Sequence, residues 1–291
     1  MDVNYELYKV FFHVATTLSF SEASKQLFIS QSAVSQSIKT LEQKLGQPLF
    51  VRSTKRVRLT PEGEILFRHI EPAIHFIQRG EAGLVDAAVT GGQIRIGASD
   101  TICRYFLIPY LERFHKEFPQ AHIKVVNQTS SECAKLLDTG QVDLVVVNSP
   151  NPRLSNQTTV KTIKTFHDLF IAGTAFAQSL ELPMSLADLT TYPILMLDSH
   201  SSTSGFLHRL FQQYQLDLIP EIELTSNDLL IDLARIGLGI AFIPDFCLIN
   251  QPEGITVVST KEELPPRELV IAYNKNAPIT KTTEEFLEYF A

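Results

Sequence analysis

The chain has 291 residues, a length for two domains, and its 44% apolar and 20% charged residues are the balance of a globular protein with a real core. No apolar run approaches the ~20 residues that span a bilayer, and the N-terminal Met1-Asp2-Val3-Asn4-Tyr5-Glu6-Leu7 lacks the regions of a signal peptide, so a cytoplasmic protein with no membrane partner is expected. The formal charge of −7 hides an asymmetry: residues 1–60 hold eight Lys and Arg against four acids, a net +4, and the remainder carries −11, the pattern of a basic nucleic-acid-reading head on an acidic body. Cys103, Cys133 and Cys247 are odd in number and far apart, with no C-x-x-C and no histidine pair beside them, which fits reduced thiols rather than a disulfide framework or a metal site.

In chain order, Leu7, Val10, Phe11 and Val14 recur at helical spacing over 5–17, with Leu18 a turn later, and predict a helix packed beneath the next two. Ser21, an N-cap type of residue with Glu22 in the first turn, predicts a short second helix that carries Ala23 and Leu27 and ends near Phe28. Ser30 caps a third helix, with Val34, Ile38, Leu41 and Leu45 on one side and Gly46 as its stop. Two helices joined by so tight a turn form a helix-turn-helix. The polar face of the third helix carries Ser32, Ser35, Gln36 and Lys39, with Gln31 in the first turn, and none of these is an acid. Glutamine can bond two atoms of an adenine edge, serine reaches a base or a phosphate, and helix N-terminal amides favour DNA oxygens. From Leu49 to Leu59, Arg52, Lys55, Arg56 and Arg58 surround a turn at Ser53 and Thr54, which reads as a basic β-wing that grips phosphates. Taken alone, these residues leave open a solvated polar helix beside a charged hairpin.

Thr60-Pro61-Glu62 supplies a cap, a proline at the first helical position and an acid in the first turn, and opens a long helix to about Val89. Leu66, Ile70, Ile74, Ile77, Leu84 and Ala88 mark an apolar seam with nothing in the chain expected to cover it, so a second copy is the expected partner. Pro72 removes one backbone bond there and predicts a kink. Thr90-Gly91-Gly92 breaks the helix. Strands at 94–96, 123–127 and 143–147 then alternate with helices at 102–118 and 132–137, and a second unit holds strands at 193–196, 222–224 and 240–243 with helices at 203–214 and 228–236. The β runs 158–166 and 267–273 stand where the chain can cross between these units, and a closing helix is predicted over 280–290.

The string A-S-K-Q-L-F-I-S-Q-S-A-V-S-Q-S-I-K-T-L-E-Q-K-L-G-Q-P-L-F-V-R from Ala23 to Arg52, followed by R-V-R-L-T-P-E-G, resembles the winged helix-turn-helix of LysR-type transcriptional regulators. I-R-I-G-A-S at Ile94 to Ser99, Phe118-Pro119, G-Q-V-D-L-V-V-V at Gly140 to Val147 and G-L-G-I-A-F-I-P at Gly237 to Pro244 extend the resemblance over the whole chain. It implies an α/β protein with an N-terminal winged helix-turn-helix (1–60), a long linker helix that dimerises (61–90) and a two-lobed, periplasmic-binding-protein-like effector domain (91–291). Lobe I would take about 91–163 and 268–291, and lobe II about 164–267. It also implies double-stranded DNA with an inverted repeat, a small-molecule effector and RNA polymerase as partners, and a homotetramer made of two dimers. Ser21, Ser30, Gln31, Ser32, Ser35, Gln36 and Lys39, with Arg52, Lys55 and Arg56, are the expected DNA-binding residues.

A ligand cleft is expected at the carboxyl ends of strands and the starts of helices. Ser99, Asp100 and Thr101, then Gln128, Thr129 and Ser130, then Ser201, Ser202 and Thr203 occupy such places, and Asn148, Asn227 and Pro244 are expected to line the walls. Hydroxyls and free amides suit an anion. Asp100 puts a negative charge at the mouth, and Ser204 stands where some members of that family carry arginine, so no guanidinium clamp is evident and a zwitterionic ligand stays open. Cys103, near this cleft, reads as an inert buried thiol ahead of an oxidant sensor. No G-x-S-x-G, H-E-x-x-H or Walker A sequence occurs, Gly237-Leu238-Gly239 lacks the third glycine of a dinucleotide site, and His200 and His208 are too far apart to share a metal. No catalytic residue, metal or cofactor is expected. The reading from another class is a solute-binding module whose N-terminal part mediates protein contacts.

Overall fold

The computed structural model describes residues 3–52, 56–89, 92–154, 156–249 and 253–290. The chain divides into two units, residues 1–85 with 139–141, and residues 86–138 with 142–291. Among the described residues no helix is long and apolar enough to cross a membrane.

In the first unit, α1 (Tyr5–Thr17) starts where Asn4 accepts the Glu6 amide and stops at Leu18, whose φ of 49° turns the chain. That turn moves the next cap forward. Ser19, in extended conformation, accepts the Glu22 amide, so α2 (Phe20–Gln26) is capped by Ser19 and not by Ser21, which lies inside the helix. The helix also ends before Phe28, which has φ 54° and is almost fully exposed. α3 (Gln31–Leu45) is capped by Ser30 and closed by Gly46 at φ 70°, a left-handed position that glycine fills without strain. Val34, Ile38 and Leu41 are 0% exposed and pack on Val10, Phe11, Val14, Phe20 and Phe50. β1 (Phe50–Arg52) and β2 (Val57–Leu59) pair antiparallel, and the turn expected at Ser53 and Thr54 lies outside the described residues.

Thr60 accepts the Gly63 amide and opens α4 (Pro61–Val89), which runs through Pro72. Gly63 is required there, because a Cβ would sit 2.2 Å from the Leu49 carbonyl oxygen. The seam of α4 divides in two. Leu66 and Ile70 pack against the core of their own head and Ile74 is 2% exposed, so only Ile77 and Leu84, at 41% and 79%, are open to a partner; the Ala88 side chain lies outside the described residues. The expectation that nothing in the chain covers the seam is therefore corrected for its N-terminal half.

The second unit holds two sheets of matching plan. β3 (Gln93–Ala98), α5 (Asp100–Ile102), a π turn (Cys103–Leu107), α6 (Ile108–Glu117), β4 (His122–Asn127), α7 (Ser130–Asp138) and β5 (Leu144–Ser149) build the parallel part of lobe I. Pro109 has no amide to give and its ring crowds the carbonyl four residues back, which accounts for the wide turn just before it in what reads as one helix. β6 (Thr158–Phe166) stays in this sheet to its end, and the chain crosses at His167, past the expected 163. Lobe II follows with β7 (Asp168–Gly173), the short helices α8 (Thr174–Ala177) and α9 (Leu186–Leu189), then β8 (Ile194–Leu197), α10 (Ser202–Gln213), β9 (Ile222–Leu224), α11 (Asn227–Arg235), β10 (Ile240–Pro244) and β11 (Ile255–Val258). β12 (Arg267–Asn274) returns to lobe I, and α12 (Lys281–Glu288) closes the chain.

The strand orders are β4-β3-β5-β12-β6 and β9-β8-β10-β7-β11. Each has three parallel strands, then one that runs opposite to them, then a fifth that pairs antiparallel with the fourth. β7 and β11 carry no counterpart among the expected elements. The runs 158–166 and 267–273 do not themselves bridge the lobes, since both strands belong to the first sheet.

Candidate nucleic-acid interface and ligand cleft

With Val34, Ile38 and Leu41 turned into the core, the opposite side of α3 faces outward. Gln31, Ser32, Gln36 and Lys39 are exposed and Ser35 is half-buried. Ser30, exposed, accepts the Ala33 amide at 3.2 Å and shares a 2.8 Å hydroxyl contact with Ser32, which fixes the first turn. The one acid of α3, Glu42, is turned away from this face: its Oε1 accepts the Leu49 and Phe50 amides at 2.8 and 3.2 Å, pinning the start of the wing to the helix. Sequence reading passes over Glu42, whose signal is a lone acid on an otherwise uncharged or basic helix. Ser21 is exposed on α2. Arg56 and Arg58 are exposed on the wing; Lys55 and the side chain of Arg52 lie outside the described residues.

In the second unit a cavity of about 310 Å³ opens at the carboxyl ends of the three parallel strands of each sheet. Residues after β3 (Ser99, Asp100, Thr101), after β4 (Gln128, Thr129, Ser130) and at the end of β5 (Asn148) form its lobe I side. Residues after β8 (Ser201, Ser202, Thr203), after β9 (Asn227) and at the end of β10 (Pro244) form the other. All twelve residues expected at a cleft thus meet at one cavity. Asn127, Asp198 and Thr225, with Ile102, Leu197 and Phe246 as apolar wall, join them without a counterpart among the expected residues. Asp198 follows β8 as Asp100 follows β3, a signal that the symmetry of the two lobes supplies.

Seven hydroxyls in this lining share one property. Ser99, Thr129, Ser130 and Ser201 each accept a backbone amide, from Ile102, Glu132, Asn148 and Thr203, at 3.1 to 3.3 Å. Thr101 accepts from Asn227 Nδ2 at 2.8 Å and Ser202 from Asn148 Nδ2 at 2.8 Å, both across the lobes. Thr203 accepts from Arg267 Nη1 at 3.1 Å. Among the described residues none of the seven donates its own proton to the protein, so each O–H keeps its capacity to donate. Asn148 and Asn227 are 9% and 3% exposed, and the Oδ1 of each lacks a partner.

Among the described residues no arginine or lysine lines the cavity; the nearest guanidinium contact to the lining is made by Arg267, which the expected residues do not include. Ser204, 1% exposed, carries no such role, whereas Arg267 at the start of β12 reaches α10 from the other lobe. Asp100 is exposed and Asp198 half-buried, its Oδ1 accepting the His200 amide at 3.0 Å. Cys103 donates to Asn127 Oδ1 at 3.4 Å, and burial, helped by Asp100, pushes its thiol up to about 11. Burial likewise takes Cys133 to about 12. These thiols stay protonated near neutral pH, which disfavours oxidant sensing. Among the described residues no group of His, Cys, Asp or Glu is arranged to hold a metal.

Residues 87–291 match the family model of the LysR substrate binding domain, and residues 5–64 that of the bacterial regulatory helix-turn-helix protein, lysR family. The HTH-type transcriptional activator IlvY of Salmonella typhimurium is 26% identical over 275 residues, 92% of each chain. A probable RuBisCO transcriptional regulator of Gracilaria tenuistipitata var. liui is 28% identical over 275 residues, 92% of this chain and 89% of that one. Among solved structures, full-length CbnR complexed with its target DNA superposes with a TM-score of 0.67 at 17% identity, covering 99% of this chain and 100% of that one. A full-length OxyR variant from Pseudomonas aeruginosa gives 0.69 at 18% identity, covering 100% and 95%. The reading as a solute-binding module falls with the match of the head to a regulatory helix-turn-helix. The chain belongs to the LysR family, as a DNA-binding transcriptional regulator with an effector-binding domain and not an enzyme.

Proposed function

We propose that Gln31, Ser32, Ser35 and Gln36 of α3 read base edges in the major groove of an inverted repeat. Ser21, Ser30, Lys39, Arg52, Lys55 and Arg56 then contact the backbone and set the register. The division of labour is 1–60 for reading, 61–90 for joining copies and 91–291 for the effector. A net +4 on one head binds DNA weakly, and pairing through Ile77 and Leu84 of α4 doubles the phosphate contacts and the salt dependence. Two such dimers form the working tetramer, which acts in the cytoplasm and reports to RNA polymerase.

The effector is a small anionic or zwitterionic metabolite held between the lobes. The observation that carries this is the set of seven hydroxyls that accept from the protein and keep their capacity to donate. Carboxylate oxygens are acceptors only, and charge-assisted O–H···O bonds are the strong ones. Asp100 and Asp198 on the lining suit an ammonium at the other end of a zwitterion. Because Thr101–Asn227 and Asn148–Ser202 already span the cleft, a ligand that prefers one lobe spacing shifts the balance between two assemblies, and only such differential affinity can switch promoter output. The test is a thermal-shift screen of the full chain against small carboxylates and amino acids, repeated with Thr101→Val. A saturable rise in melting temperature that this variant loses supports the reading; hits that it leaves unchanged place the ligand elsewhere.

A further inference from the structure

We infer that Arg267 is a positioning residue that makes the start of α10 a seat for a carboxylate or other oxyanion and sets the cleft against neutral isosteres. This deepens the reading of the cleft given above and rests on it. Arg267 opens β12 in lobe I and is 4% exposed; Asp168 opens β7 in lobe II and is 0% exposed. Their 2.8 Å contact, Nη1 to Oδ2, ties together the two places where the chain crosses between lobes. The guanidinium is further held against the rings of Phe166 and Phe206, 5.3 and 4.9 Å from their centroids. A planar group fixed by an acid and two aromatic faces has little freedom, so the direction of its remaining N–H bonds is set in advance.

Those bonds go to α10. Nη1 reaches Thr203 Oγ1 at 3.1 Å and Nη2 reaches Ser202 Oγ at 3.4 Å. A guanidinium has donors and no acceptor, so both hydroxyls must take its protons and turn their own away. Ser202 also takes the Asn148 Nδ2 proton at 2.8 Å, which occupies its second lone pair and leaves it able only to donate. The reverse setting of the Asn148 amide would strand a buried N–H pair instead of the one unpartnered Oδ1, the costlier choice. Without Arg267, the Ser202 and Thr203 rotors can accept as well as donate, and an amide or alcohol fits as readily as a carboxylate.

Long-range attraction is not the means. The charge of Arg267 is cancelled by Asp168, and Asp100 and Asp198 on the lining repel an anion. The preference arises at hydrogen-bond range, where O–H donors and the amides at the start of the twelve-residue α10 converge. Loss of one hydrogen bond to a charged group weakens binding roughly ten- to a hundredfold, which sets the size of the effect.

The experiment is a titration of the full-length protein by calorimetry with succinate and 2-oxobutyrate, each paired with its amide. The wild type is expected to bind at least one acid tenfold or more tightly than the matching amide. Arg267→Lys keeps a charge for Asp168 but has no fork to reach Ser202 and Thr203, and is expected to lower that ratio at least tenfold by weakening the acid and sparing the amide. Thr203→Val leaves the ion pair alone and is expected to move the ratio in the same direction, which keeps the test open if the lysine variant folds poorly. An unchanged ratio in both variants, an amide preferred by the wild type, or no acid bound at 10 mM overturns the assignment. Ser130→Ala, on the opposite wall and out of contact with Arg267, separates the two readings. If it weakens acid and amide together while the ratio resists the other variants, the cleft stands and the role of Arg267 falls.

Discussion

The reading head and the cleft solve the same problem, holding polar side chains ready for a partner, in opposite ways. On α3 the polar groups stand outward on a helix whose inner side, Val34, Ile38 and Leu41, is fully dry. Ser30 caps the helix and shares its hydroxyl with Ser32, but Gln31, Ser35, Gln36 and Lys39 take no part in holding it, so recognition and stability are separable at those four positions. In the cleft, seven hydroxyls from both lobes are each fixed by an N–H donor, three of them by side chains from elsewhere in the chain. Changing what the cleft recognises therefore disturbs what holds it, whereas changing Gln31, Ser35, Gln36 or Lys39 on α3 does not.

The largest expected effect tests this on the cleft side. Arg267→Met leaves Asp168 buried and unpaired and should cost about 3–5 kcal/mol in urea unfolding, while Gln36→Ala on α3 should change stability by less than about 0.5 kcal/mol. Equal costs would erase the contrast. Next in size, Ser19→Ala should destabilise by about 1 kcal/mol through loss of the α2 cap, with Ser21→Ala near neutral; the reverse order would restore Ser21 as the cap. The smallest effect concerns pH. The Cys103 thiol titrates at about 11 in the fold and near 8.5 to 9 when unfolded, so the folded protein holds this proton more tightly. Its contribution to stability is complete below about pH 9 and is lost as pH rises through about 11. Cys103→Ser should flatten the fall in urea midpoint across that window, and an identical fall in both proteins would contradict the cause assigned here.

Legibility in the sequence follows the same contrast. Ser30, Gly46 and Thr60-Pro61 mark their ends because a cap and its amide lie within a few residues. The cleft residues are readable because all but Asp100 carry a local signature, a hydroxyl, amide or proline, close to the end of an apolar strand, and the fold then brings those strand ends together. Arg267 is not readable: its partners Thr203 and Asp168 lie 64 and 99 positions away. β7 escapes although the expected run 158–166 ends where β6 ends, because only His167 separates the two strands and no turn signal announces the second. The cap of α2 is misplaced by one turn of backbone, the left-handed Leu18, that residue type does not announce. The open seam of α4 is overstated because Leu66 and Ile70 meet a core assembled from three other helices.

The central claim is that the outward face of α3 reads DNA sequence, and fluorescence anisotropy at several salt concentrations tests it most directly, with the protein's own promoter and a scrambled duplex compared for wild type, Gln36→Ala and Arg56→Ala. The expected result is that Gln36→Ala loses about 1–3 kcal/mol per half-site on the promoter alone, while Arg56→Ala weakens both duplexes alike and lowers the salt slope by about one. Equal losses on both duplexes for Gln36→Ala, or no binding by the wild type at low salt, would contradict it.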